Sequence, residues 1–221
     1  MEKNRQMDNF YTPNGINVYV KDPLTNGLDM EEIVNTVEER IPSRFLSEVE
    51  MIIVGQLEEF EDRQINAMYK DGCLYITNEQ DDADDLIDDI VHEMAHAIER
   101  QRKFNDFIYD DGLVEKEFLG KRKRLFHMLG EPMDKMLDYI NPEYDKKFDM
   151  YLYKDLGYDK LRGETHSLFF SPYAITALKE YWANGFENYI VGDHSDRQKL
   201  KEISPELYKK IQQILNLDEE E

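Results

Sequence analysis

Two histidines stand four residues apart with a glutamate directly after the first, His92-Glu93-x-x-His96, inside "DDIVHEMAHAIER" from Asp88 to Arg100. The whole chain has only five histidines. On an α-helix, positions i and i+4 lie about 40° apart, so the two imidazoles project from one face and can converge on a single ion. Glu93 sits about 100° further round, placed to reach a metal-bound water without serving as a ligand. Two imidazoles on zinc beside a general-base carboxylate is the chemistry of this spacing. The bland alternative is an amphipathic helix that carries two half-buried histidines.

A catalytic zinc takes three protein ligands and keeps one position open. The extended pattern H-E-x-x-H-x-x-G-x-x-H would supply the third locally, but Glu99 stands where it needs glycine and Arg102 where it needs histidine. That class is excluded. Glu164, Glu180 and Glu187 remain as carboxylate candidates, with His127 and His166 as imidazole ones.

The stretch "SPYAITALKEYWANGFENYIVGD", Ser171 to Asp193, contains Glu180-Tyr181-Trp182-Ala183-Asn184-Gly185-Phe186, with Tyr173 seven residues before the glutamate. With the His92–His96 segment, it resembles the zinc-binding region of the Pro-Pro endopeptidases and the anthrax lethal factor protease domain. The resemblance covers about Asp88–Arg100 and Ser171–Asp193, and more weakly "SPELYKKIQQIL". It implies a gluzincin-type metallopeptidase in which His92, His96 and Glu180 hold one Zn²⁺. Glu93 would be the general base, and Tyr173 would donate to the developing oxyanion. Where those families carry a second glutamate, this chain has Asn184, a neutral partner for orienting a ligand histidine. The connection between the two segments is much longer here than in either family.

Around these residues the elements follow from period and punctuation. Ile16–Val20 and Glu50–Gly55 predict strands, and Ile65–Tyr69 and Cys73–Thr77, joined by Lys70-Asp71-Gly72, predict a hairpin. Asp29 caps a helix to Ile41, with Glu32 as its capping-box partner. Leu86, Ile87, Ile90, Val91, Met94 and Ile98 recur at threes and fours, predicting a helix of about 20 residues from the acidic run at Asp81. That run is a solvated helix start rather than a calcium loop. Helical pieces are expected at Val114–Leu129, Met133–Ile140 and Lys146–Leu156, then from Ser171-Pro172 to about Val191, and at Ser204–Leu215. Residues 1–12 read as polar and mobile, and "GKRKR" (Gly120–Arg124) as a solvated basic face.

The expected fold is α+β and zincin-like: a small N-terminal mixed sheet with an antiparallel edge hairpin, the His92–His96 helix, and an all-helical C-terminal lobe. It forms one domain over 1–221, divided into an α/β lobe (1–102), a helical insertion (103–165) and a helical lobe with the third ligand (166–221). In folds of this kind the hairpin strand is an edge, so Leu74, Tyr75 and Ile76 are expected to pair with extended peptide, Asn78 and Glu79 to lie near the cleft, and His166 to touch substrate.

The formal charge of −21, from 27 Lys plus Arg against 48 Asp plus Glu, opposes binding to nucleic acid or an anionic membrane. One cysteine, Cys73, excludes an internal disulfide framework. No export or membrane-spanning segment is evident, so a cytoplasmic protein is expected, with virion-associated or host-delivered settings left open. The expected partner is a peptide or protein substrate. The competing expectation is a non-catalytic zincin-derived binding protein whose metal site is structural, closed by a fourth side chain such as Asp193 or His166.

Overall fold

Alternating burial along short β-branched runs builds a five-stranded sheet in the first of two compact units, Met1–Gln101; the second unit is Arg102–Glu221. The computed structural model describes residues 9–57, 60 and 65–217. The strands are β1 (Asn9–Tyr11), β2 (Asn17–Val20), β3 (Met51–Val54), β4 (Ala67–Lys70) and β5 (Cys73–Ile76), in the order β1-β2-β3-β5-β4. The β1/β2 and β4/β5 pairs are antiparallel, whereas β2/β3 and β3/β5 are parallel. Val18, Ile52, Val54, Leu74 and Ile76 are buried at every second position, which is the pleat's own period. Of the segment expected to be mobile, residues 1–8 lie outside the described residues, and 9–11 form the strand β1.

Helix α1 (Met30–Arg40) crosses between the parallel strands β2 and β3. Its Asp29 cap accepts from the Glu31 and Glu32 amides. Asp71 (φ 51°) and Gly72 (φ 82°) turn the β4–β5 hairpin in the left-handed region, the geometry of a type I′ turn. Helix α2 (Ala83–Arg100) begins at Asp82, whose carboxylate accepts from the Asp85 amide. It packs Leu86, Ile87, Ile90, Val91, Met94 and Ile98 in a region where it meets α1, β4 and β5. Each such side chain contributes about 1.5–3 kcal/mol on burial, so this apolar face holds α2 in place.

One expectation is corrected here. β5 is paired along both edges, with β3 on one side and β4 on the other, so Leu74, Tyr75 and Ile76 have no free backbone to offer a peptide. The hairpin does lie at the sheet's margin, but β4 is its outermost strand.

The second unit is helical: α3 (Arg102–Tyr109), α4 (Leu113–Leu129), α5 (Met136–Ile140), α6 (Lys146–Met150), α7 (Tyr158–Thr165), α8 (Leu178–Ile190), α9 (His194–Ile203) and α10 (Pro205–Leu215). A wider π-helical stretch, Tyr151–Gly157, joins α6 to α7. Helices α3, α7 and α9 were not foreseen from the sequence. The helix expected from Ser171 onward is interrupted, because Tyr173–Ile175 is a 3-10 turn and Ala177 is extended (φ −155°, ψ 159°) before α8 begins. Of the four basic side chains in "GKRKR", Lys123 and Arg124 are exposed but Lys121 and Arg122 are buried, which corrects the solvated-face expectation. Among the described residues, no helix is long and apolar enough to cross a membrane.

Candidate metal centre

Helix α2 carries His92, Glu93 and His96 on its less buried side, all three at intermediate exposure between the buried Val91, Met94, Ala95 and Ala97. One potential ligand atom from each of the three lies within 4.8 Å of the others. The two imidazole rings meet edge to face, with centroids 5.1 Å apart and planes at 77°. A pair of neutral imidazoles beside a carboxylate suits zinc, which binds nitrogen and oxygen donors at about 2.0–2.2 Å.

Glu93 is held from the sheet. Its Oε2 accepts the Tyr69 backbone N–H at 2.6 Å, an amide on the outermost strand β4. Met68, Tyr69 and Lys70 stand opposite Tyr75, Leu74 and Cys73 across the hairpin ladder, and Tyr69 gives its N–H to the helix. The Arg100 guanidinium lies 5.5 Å over the Tyr69 ring and 3.9 Å from Asp71, adding a second link between the end of α2 and the hairpin.

His96 has a carboxylate neighbour on its own helix. Its Nδ1 is 3.6 Å from Glu99 Oε2, and the two side chains are only 16% and 14% exposed. Sequence reasoning used Glu99 only to exclude a ligand pattern. The signal that would have found it is an acid three residues after a candidate ligand histidine, on the same helix face.

The remaining expected site residues are distributed as follows. Glu180 lies in the second unit, in the first turn of α8, buried at 4% exposure, with the Lys179 ammonium 3.7 Å from its Oε1. Asn184, one turn on, is also buried; its side-chain amide donates to Glu187 at 3.4 Å and its backbone carbonyl accepts from the Asn188 side chain at 2.7 Å. Tyr173 is half-buried in the 3-10 turn, where its carbonyl accepts from the Thr176 hydroxyl at 2.8 Å. The extended Ala177 separates Tyr173 from α8, so the spacing of seven does not correspond to two turns of one helix. His127, Glu164 and His166 are exposed, and His166 Nδ1 lies 2.8 Å from the Gly163 carbonyl three residues back. Asn78 braces the turn after β2: its side-chain amide donates to the Pro23 carbonyl and its backbone carbonyl accepts the Thr25 N–H.

Compared with protein-family models, curated proteins and solved structures, the chain matches none.

Proposed function

We propose that the chain is a zinc-dependent endopeptidase with a zincin-like first unit, built on the His92-Glu93-His96 centre. The grouping of those three side chains on one face of α2, with ligand atoms within 4.8 Å, is the observation that carries this proposal. His92 and His96 present ring nitrogens to one Zn²⁺, and the resemblance assigns the third ligand to Glu180. Bound zinc supplies Lewis acidity and lowers the pKa of a coordinated water to about 7. Glu93 takes the proton of the attacking water and delivers it to the leaving amine. The Tyr69 amide fixes where that carboxylate stands. Tyr173 is assigned the hydrogen bond to the developing oxyanion. An extended peptide would lie along β4, the outermost strand, in place of the internal β5, pairing with edge groups other than the Tyr69 N–H that Glu93 holds.

Metal analysis and cleavage of a peptide library test this together. Wild type should carry one zinc per chain and cleave peptides in a chelator-sensitive way. Glu93→Gln should keep its zinc and lose cleavage, and Glu180→Ala should lose zinc affinity. Equal zinc content in wild type and a His92→Ala/His96→Ala double variant would sink the proposal. Stoichiometric zinc with no cleavage of any peptide would favour a structural site.

A further inference from the structure

We infer that Glu99 is the positioning residue for His96, and this rests on the metal centre proposed above. A histidine that binds a metal through one ring nitrogen carries its proton on the other, and an acceptor at that N–H fixes the tautomer, aims the ring and raises its basicity. Glu99 Oε2 stands 3.6 Å from His96 Nδ1, leaving Nε2 as the nitrogen presented to the ion. The inference requires the carboxylate to close that separation to a hydrogen bond of about 2.7–2.9 Å.

The helix makes this contact without help from elsewhere. Residues three apart are neighbours on a helix surface, and α2 runs to Arg100 before Gln101 leaves helical geometry, so Glu99 lies within its last turn. Both side chains are mostly withdrawn from solvent, which strengthens a charge-assisted contact compared with an exposed pair. In the families that the sequence resembles, the extra carboxylate sits four residues after the third ligand. Here that position is Asn184, whose amide donates to Glu187. On this inference, the negative charge supporting a ligand histidine is carried by the metal-binding helix itself.

Zinc affinity, measured by competition with a chromophoric chelator on the full chain, tests the inference without any appeal to turnover. Glu99→Ala should weaken zinc about 10–100-fold. Glu99→Gln, which keeps an acceptor oxygen but no charge, should fall between Glu99→Ala and wild type. The ¹⁵N resonance of His96 Nδ1 should shift in both variants while that of His92 stays in place. Helical circular dichroism equal to wild type excludes unfolding as the cause, and Glu99→Gln preserves side-chain shape if Glu99→Ala folds poorly. Wild-type affinity in both variants, or an unmoved His96 resonance, overturns the inference and leaves the zinc centre standing. A wild-type chain that binds no zinc overturns both.

Discussion

At the scale of single residues, the sharpest feature is the position of a carboxylate rather than its presence. Glu93 is joined to β4 through the 2.6 Å bond from the Tyr69 amide, so its reach is set by the distance between helix and strand. Glu93→Asp keeps the charge and the basic oxygen pair but withdraws them by one methylene. A displacement of about 1 Å at a reacting group can cost about 100-fold in rate. On the proposed peptidase reading, the aspartate variant should therefore retain zinc and lose about 100-fold in kcat, read by metal analysis and steady-state cleavage side by side. Undiminished kcat would show that the strand amide is irrelevant to where the proposed base stands.

At the scale of elements, local signals revealed different amounts. The helix bearing His92 and His96 was legible because its apolar residues keep a strict three-and-four rhythm, and the hairpin because Asp71-Gly72 permits only a tight turn. The identity of the edge strand was not legible: Cys73–Ile76 and Ala67–Lys70 look equally strand-like, and only long-range pairing decides which lies outside. "GKRKR" was misread for the same reason, since charge along a helix does not announce a buried partner. The Arg122 guanidinium donates to the Asn141 carbonyl at 2.6 Å and to the Asp138 carbonyl, at the C-terminal end of α5. It also lies 4.4 Å over the Phe148 ring. It thus satisfies carbonyls that a five-residue helix leaves open at its end. Lysine cannot reproduce the planar fork, so Arg122→Lys should cost about 2–3 kcal/mol. Urea unfolding of the two proteins measures this, and a loss under 0.5 kcal/mol, the scale of an ordinary surface change, would contradict it.

At the scale of the molecule, the second unit is tied through one buried amine. Lys121 on α4 donates to the Tyr181 hydroxyl on α8 at 2.7 Å and to the Ser204 hydroxyl just before α10. The Tyr181 hydroxyl donates in turn to Glu117, which also accepts the Glu206 and Leu207 amides at the start of α10. Burial pushes the Lys121 ammonium down to about 7 from the ordinary 10.5, with the Glu117 charge opposing the shift. Below about pH 7 both folded and unfolded chains carry the charge, and folding bears the full cost of burying it. Between about 7 and 10.5 the unfolded chain holds a proton that the folded one has released, so stability rises with pH, by at most about 1.4 kcal/mol per pH unit. Tyr139, Tyr151, Tyr158 and Tyr181 act in the opposite sense above about pH 10: burial and neighbouring carboxylates raise their phenols, and the unfolded chain ionises first. The window to measure is therefore pH 7 to 9.5, where the lysine acts ahead of the tyrosines. Trp182 is the chain's single tryptophan and is fully buried on α8, so its fluorescence reports unfolding of this unit. Denaturant midpoints followed at Trp182 should climb across that window in wild type and stay flatter in Lys121→Met, where no proton can be released. Parallel pH profiles for the two proteins would show that Lys121 keeps its charge inside the fold.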